Sequence, residues 1–306
     1  MKHESFVTIF LLVILSLTSH TTMAAPPKIL VTLKPLHALV AGLCAGISQP
    51  ALLLDTLQSP HDYTLKPSDR RMLEAADIII YAGNNIEGFM LPLRASLGKR
   101  QLIALDTLPG LPLLPARGTH ADHAADHAAD HDGHIWFSPV NAGIIVQQLA
   151  ERLAQHDANN RDKYFSNRDR LLQKLSDLQK QINRQLQPVR NLPFLQFHDA
   201  LQYFERDFSL TRSIVVTSGA EHTPGARHIR LLQQQVHDEN IRCFLYEAPQ
   251  APNLLQTLDV NHNASMQALE IHGSQLLSGE ELYFKLLTDI ANKIHTCLQT
   301  DKDQKR

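Results

Sequence analysis

The stretch Asp77-Ile78-Ile79-Ile80-Tyr81 places three isoleucines in succession with no polar residue between them. A short run of β-branched residues is typical of a strand. A strand that is apolar on both faces is typical of a parallel sheet covered by helices on both sides. We therefore predict an α/β fold built around buried parallel strands.

Similar runs on both sides of this stretch alternate with helical patterns. Strand-like runs are Lys28–Leu33, Ala51–Leu57 and Gln101–Leu105 in the first half, and Pro193–Phe197, Ser213–Thr217, Arg242–Tyr246 and Ser265–Leu269 in the second. Helical patterns cover Pro67–Ala76, Asn85–Leu97, Pro224–His237 and Glu280–Leu298. This alternation predicts βαβ units, and a chain of 306 residues is long enough for two domains.

A long helix is predicted between the two halves. The range Asn160–Gln187 contains neither Gly nor Pro, and Leu171, Leu175, Leu178 and Ile182 recur within it at spacings of three and four. Its length as a helix would be about 42 Å. A coiled-coil dimer helix is the alternative, although barely two heptads are present. We predict one lobe over 25–158, a linking helix over 159–188 and a second lobe over 189–306.

The amino terminus predicts export from the cytoplasm. Lys2 precedes an apolar run, Phe6–Leu17, and the small residues around Thr22-Met23-Ala24 follow it. This order is typical of a cleaved signal peptide, here residues 1–24. The run is shorter than the ~20 residues that span a bilayer. We therefore expect a periplasmic protein, and a net charge of −2 argues against a nucleic-acid partner.

Histidine is the unusual residue, with 17 in the chain. Four of them alternate with Ala and Asp in a loop-like segment, 119–133; they are His120, His123, His127 and His131. Long loops in compact domains are often functional or disordered. We predict a secondary, weaker metal site in this loop, with an inert polar linker as the alternative.

Three isolated histidines predict the main metal site. His61 follows one predicted strand, His198 directly follows another, and His134 ends the histidine-rich loop. Ligands bind at the carboxyl ends of strands in open α/β sheets. Glu270 also ends a predicted strand. Three imidazoles with a carboxylate or water form a suitable tetrahedral set for Zn²⁺.

Other motifs narrow the functional classes. The sequence contains no His-Glu-x-x-His, no Gly-x-x-x-x-Gly-Lys-Ser/Thr, no Gly-x-Ser-x-Gly and no Cys-x-x-Cys. Its three cysteines, Cys44, Cys243 and Cys297, allow one disulfide and leave one thiol over. An oxidising compartment permits that bridge, but the count does not say which pair forms.

Four segments, taken in order, resemble a known family. They are Pro60-His61-Asp62-Tyr63, Lys66-Pro67-Ser68-Asp69, His134-Ile135-Trp136-Phe137-Ser138-Pro139 and Phe197-His198-Asp199-Ala200. Together they look like the metal-binding cluster of periplasmic solute-binding proteins that serve ABC importers. The histidine-rich loop favours the zinc branch, the ZnuA type, over the manganese and iron branch.

The resemblance implies two α/β lobes joined by one long rigid helix, with the metal in the cleft between them. It implies His61, His134 and His198 as ligands. It also implies a Cys243–Cys297 disulfide, which leaves Cys44 as the free thiol. Many relatives have Asp-Pro where this chain has Glu270-Ile271, and some zinc members have Glu in place of Pro60. Glu270 and water are therefore the candidates for the fourth ligand.

The resemblance implies a monomeric binding protein, not an enzyme, that captures Zn²⁺ and delivers it to a membrane permease. Two alternatives stay open. One is the same transport role with Mn²⁺ or Fe²⁺ as cargo, although imidazole-rich sites favour Zn²⁺. The other is a secreted zinc hydrolase, in which Glu270 would act as a general base.

Overall fold

The structure is a computed structural model, and it describes residues 25–55, 58–98, 100–117, 131–217, 224–247, 252–261 and 263–303. The predicted signal peptide lies outside the described residues. The same is true of three histidines of the histidine-rich loop, His120, His123 and His127.

The first half forms a four-stranded parallel sheet in the order β2-β1-β3-β4. Its strands are β1 (Ile29–Leu33), β2 (Ala51–Leu54), β3 (Ile78–Tyr81) and β4 (Gln101–Ala104). The isoleucine run is β3, which pairs with β1 and β4 and is buried at every position. The predicted buried parallel strand is thus confirmed.

The second half repeats this arrangement in a parallel sheet with the order β6-β5-β7-β8. Its strands are β5 (Leu195–His198), β6 (Ile214–Thr217), β7 (Cys243–Glu247) and β8 (Ser265–Leu269). In both sheets the first strand in sequence has neighbours on both sides, so the order of the strands progresses in opposite directions on its two sides. Such a switch point opens a crevice at the carboxyl ends of the strands. The predicted two-lobed α/β fold is confirmed.

Eight helices are described in these parts of the chain. They are α1 (Lys34–Leu43), α2 (Pro67–Ala75), α3 (Pro139–His156), α4 (Arg161–Leu186), α5 (Gln202–Phe208), α6 (Ala226–Asp238), α7 (Pro252–Leu258) and α8 (Glu281–Asp303). Single 3₁₀ turns cover Pro60–Asp62, Gly88–Met90, Leu105–Thr107, Ile135–Phe137 and Ala158–Asn160.

The long helix α4 lies between the two sheets in sequence and packs against α3, α1 and α8. Its apolar stripe is buried throughout; the stripe consists of Leu171, Leu175, Leu178, Ile182 and Leu186. Helix α1 escaped prediction because nearly all of its residues are buried. A helix that is apolar on all sides has no stripe for a periodicity argument to detect.

One predicted helix is wrong. Asn85–Leu97 forms only the 3₁₀ turn Gly88–Met90 and a series of turns. Gly88 and Pro92 interrupt the pattern, and a proline inside a helix removes a backbone donor. Glu87 also uses its side chain elsewhere, since its carboxylate accepts a hydrogen bond from the backbone N–H of Ala82 at 2.6 Å.

The disulfide expected from the resemblance is present between Cys243 and Cys297, whose Cα atoms lie 5.2 Å apart. It joins β7 to α8. Cys44 is free and buried, and burial raises the pKa of its thiol to about 12. Within the described residues, the helices include none that is both long and apolar enough to cross a membrane.

Candidate metal centre

His61 lies in the 3₁₀ turn that follows β2. Ser59 begins this turn, and its hydroxyl accepts a hydrogen bond from the His61 N–H at 3.3 Å. Downstream, Asp69 accepts hydrogen bonds from the Tyr63 hydroxyl and the Lys66 N–H, both at 2.8 Å. The turn is therefore held from both ends, while the His61 side chain stays exposed.

His134 is buried, with 5% of its surface exposed, at the start of the turn Ile135–Phe137. Its Nδ1 lies 2.7 Å from Oδ1 of Asp132, which also accepts the His134 backbone N–H at 2.9 Å. Because a carboxylate can only accept, the imidazole proton resides on Nδ1. Nε2 is then left as an acceptor with a free lone pair.

His198 is the last residue of β5 and is 4% exposed. Its Nδ1 lies 2.9 Å from Oε1 of Glu247, the last residue of β7. The carboxyl ends of these two paired strands thus bring a histidine and a carboxylate together. The Nε2 of His198 is buried without a hydrogen-bond partner. Buried polar atoms are rarely left unpaired, so this atom indicates a missing ligand.

The three histidines converge. Each offers a ring nitrogen, and these three nitrogens all lie within 4.8 Å of one another. The Nε2 atoms of His61 and His134 are 3.4 Å apart. Two nitrogens bound to one tetrahedral zinc at 2.0–2.1 Å would be separated by about 3.3 Å. The donor set therefore fits a zinc-sized ion.

The electrostatics keep two of the rings neutral. Burial lowers the pKa of His134 well below its ordinary value, and the neighbouring His198 adds to this effect. Desolvation of the ring in this region, followed by the charges of His134 and His198, lowers the pKa of His61. Metal binding requires neutral imidazole, so these two rings are held in the form that can bind a metal.

The third ring behaves differently. Burial lowers the pKa of His198, but the hydrogen bond and charge of Glu247 outweigh it, and the net pKa is raised. Burial has the opposite effect on Glu247 and raises its pKa, but the hydrogen bond from His198 outweighs burial, and the net pKa of Glu247 is lowered. His198 therefore takes up a proton more readily than the other two rings, and a metal ion that binds at its Nε2 would have to displace the proton from that nitrogen.

Glu270, the predicted fourth ligand, is not part of the group within 4.8 Å. Its Oε1 accepts the His272 N–H at 3.0 Å, and its Oε2 accepts the Ser274 hydroxyl at 2.6 Å. Among the loop histidines, only His131 is described. Its Nε2 lies 3.4 Å from Oδ2 of Asp106, and the Asp106 Oδ1 is buried without a partner.

Three residues of this region escaped the sequence argument. Asp132 stands two positions before His134, and Glu247 follows a predicted strand in the same way as Glu270. Both could have been found by asking which carboxylate orients each imidazole, since metal-binding histidines usually donate their other N–H to one. His272 lies two positions beyond Glu270 and has no strand end or motif of its own to mark it, yet its charge affects the pKa values of both His61 and His134.

Comparison with known proteins agrees with this geometry. Residues 29–297 match the family described as "Zinc-uptake complex component A periplasmic". The chain belongs to this family. Two relatives are named "High-affinity zinc uptake system protein ZnuA". The Brucella abortus protein is 30% identical, with 88% of this chain and 91% of the relative covered. The Haemophilus ducreyi protein is 28% identical, with 90% and 95% covered.

Solved structures share the fold. A structure titled "Crystal structure of ZnuA" has a TM-score of 0.75 and 22% identity, covering 89% of this chain and 98% of its own. A Mn-bound periplasmic metal-binding protein mutant from Candidatus Liberibacter asiaticus has a TM-score of 0.73 and 17% identity, covering 89% and 99%. The family match over residues 29–297, and not this similarity in fold, makes the chain a solute-binding protein of the zinc-uptake type.

Proposed function

We propose that this protein captures Zn²⁺ between its two halves through His61, His134 and His198 and releases it to the permease of an ABC importer. The convergence of three imidazole nitrogens within 4.8 Å carries this proposal. His198 comes from the second sheet, and His61 follows a strand of the first. A metal ion bound by both would therefore link the two halves.

Zinc is favoured over manganese by the donor set. Imidazole suits Zn²⁺, whereas Mn²⁺ prefers carboxylate, carbonyl and water oxygens. The family description and the names of the relatives both refer to zinc. The manganese-bound neighbour is similar in fold, and at 17% identity that similarity does not extend to the cargo.

A hydrolytic role is the weaker alternative. It requires a carboxylate that is free to act as a base beside the metal-bound water. Asp132 and Glu247 are each engaged with a ligand imidazole, and Glu270 is engaged with Ser274. These carboxylates therefore orient other groups. Incubating the zinc-loaded protein with ester and peptide substrates tests the point, and turnover would favour the hydrolase.

Residues 1–24 would direct the chain to the periplasm, where a monomer would meet the permease. This expectation rests on the sequence and on the periplasmic family description. Amino-terminal sequencing of the protein from a periplasmic extract should begin near residue 25. Size-exclusion chromatography with light scattering should give the mass of one chain.

The histidine-rich loop would hold a second, weaker zinc ion through His120, His123, His127 and His131. The 3.4 Å approach of the His131 Nε2 to Asp106, with one carboxylate oxygen left unpartnered, supports a site at the end of this loop. Deleting residues 119–130 keeps His131 and also Asp132, which orients His134. Zinc bound beyond one equivalent should decrease, and the tight site should persist.

The central experiment is a zinc titration against a competing chelator. Single replacement of His61, His134 or His198 by Ala should weaken binding, because each removes one nitrogen ligand. His237→Ala is the matched control, since this histidine is exposed on α6. Unchanged affinity in all three variants would reject the proposed site.

A further inference from the structure

His272 lies beside the three-histidine cluster, although it is not one of the three residues within 4.8 Å of one another. It belongs to the connection between β8 and α8 and is half-buried. With Lys34, Pro60 and Trp136, its side chain lines a cavity of about 20 Å³. A cavity of this size accommodates about one water molecule.

The walls of this cavity are the neighbours of two proposed ligands. Pro60 immediately precedes His61. The Trp136 ring packs against the His134 ring at a centroid distance of 5.4 Å. His272 therefore approaches the cluster from the second half of the chain, opposite residues of the first half.

The charges give the same picture. Burial lowers the pKa of His272, and the nearby charge of His198 lowers it further, against the opposing effect of Glu247 and Glu270. Its own charge would lower the pKa of both His61 and His134. These charge interactions mean that the His272 imidazole lies close to all three histidines of the cluster.

Glu270 supports the turn that carries this imidazole. Each of its carboxylate oxygens already accepts a hydrogen bond, one from the His272 backbone and one from the Ser274 hydroxyl. Ile271 is 2% exposed and fixes the chain between Glu270 and His272. Glu270 is thus engaged within this turn, whereas the His272 side chain borders a cavity whose other walls include Pro60 and Trp136, the neighbours of His61 and His134.

We propose that His272 supplies the fourth ligand to the zinc ion held by His61, His134 and His198. This inference rests on the proposed function. A set of four nitrogens strengthens the preference for Zn²⁺ over Mn²⁺, because it replaces the oxygen ligand that Mn²⁺ favours. His272 would therefore contribute to metal selectivity as well as affinity.

X-ray absorption at the zinc edge tests the proposal directly, because multiple scattering from imidazole counts the rings bound to the metal. The wild-type protein with one equivalent of zinc should show four rings, and His272→Ala should show three. Zinc affinity of the His272→Ala variant should fall by at least about tenfold. Tenfold is the smallest loss typical of removing a residue that only hydrogen-bonds to a metal ligand, and removing a ligand itself should cost at least as much. The margin by which Zn²⁺ outcompetes Mn²⁺ should narrow.

Three further proteins complete the experiment. His237→Ala should behave as wild type. His272→Gln keeps a polar side chain in the half-buried site and should repeat the loss of one ring, which separates ligation from folding. Glu270→Gln should retain four rings.

An unchanged ring count and affinity in His272→Ala would overturn the proposal. A larger affinity loss in Glu270→Gln than in His272→Ala would also overturn it, in favour of the carboxylate. If His198→Ala loses affinity while His272→Ala does not, this inference alone fails. If neither variant loses affinity, the proposed function fails with it.

Discussion

The Nδ1 nitrogen of His134 lies 2.7 Å from Oδ1 of Asp132, and the same oxygen accepts the His134 backbone N–H. One carboxylate thus fixes the position, the ring orientation and the tautomer of a proposed ligand. An equivalent pair, His198 with Glu247, stands at the ends of β5 and β7. The site is therefore arranged before any metal arrives.

Replacing Asp132 by Ala should lower zinc affinity by about 10- to 100-fold, the range typical of lost outer partners of metal ligands. The His134 ring would lose the contact that keeps its Nε2 lone pair directed at the cluster. Competition titration with a chelator measures the change. Asp177→Ala, at an exposed position of α4, is the matched control. Wild-type affinity in Asp132→Ala would show that this pairing does not orient the ligand.

Zinc affinity should depend on pH through one proton. The pKa values of His61 and His134 are lowered, so both rings stay neutral as the pH falls from 7 to 6. The pKa of His198 is raised, because the hydrogen bond and charge of Glu247 outweigh the lowering caused by burial. This ring therefore takes up a proton as the pH falls, and that proton competes with the metal. Affinity should therefore fall by about tenfold per pH unit on the acid side of that pKa.

Titrations between pH 8 and pH 5.5 give this slope. Glu247→Gln removes the charge that raises the pKa of His198 and should flatten the dependence, while lowering affinity at neutral pH. A slope near three protons would mean that all three histidines are protonated in the free protein, contrary to this electrostatic picture.

Glu87→Gln should stabilise the protein at alkaline pH. Glu87 is fully buried, and burial raises its pKa to about 7. Between its ordinary pKa of 4.5 and this value the folded state holds a proton that the unfolded state has lost. Stability therefore decreases as pH rises through this window, by roughly 3 kcal/mol at most.

The neutral amide of the Gln variant avoids this loss. Thermal unfolding of the metal-free proteins should show a higher midpoint for Glu87→Gln at pH 8 and no gain at pH 4.5. Glu74→Gln, which changes an exposed residue of α2, should show no such pH-dependent gain. A variant destabilised equally at both pH values would indicate that the carboxylate accepts essential hydrogen bonds in its charged form.

The Cys243–Cys297 disulfide should contribute to the stability of the second half. The bridge has a sequence separation of 54 residues, for which loop closure predicts about 4 kcal/mol as an upper value. Replacing both cysteines by Ala should lower the unfolding midpoint, and Cys44→Ser is the control for losing a thiol. Thiol counting on the unfolded, unreduced protein should find one free group. A count of three would contradict the bridge.

The sequence predicted the strands well because parallel strands carry continuous apolar runs, as in Ile78-Ile79-Ile80. It also predicted α4, whose stripe has a clear helical period. It missed α1, whose burial on all sides removes that period, and it misplaced a helix where Pro92 and Gly88 prevent one. The three histidines that the structure brings together could be selected from the sequence because they follow strands or end a loop.

The residues around them were harder to find. Glu247 contacts an imidazole 49 positions away in sequence, on a paired strand, whereas Asp132 stands only two positions before His134. Neither contact belongs to a helical or strand period that a pattern in the sequence would reveal. His272 follows Glu270 closely, but only the packing of its ring beside Pro60 and Trp136 distinguishes it from a solvated histidine. Tertiary proximity decides these roles.

The most direct test of the central claim is an anomalous difference map at the zinc edge from crystals of the protein with one equivalent of Zn²⁺. We expect a single strong peak at 2.0–2.1 Å from one ring nitrogen of each of His61, His134 and His198. A principal peak elsewhere, or one that contacts fewer than two of these histidines, would contradict it.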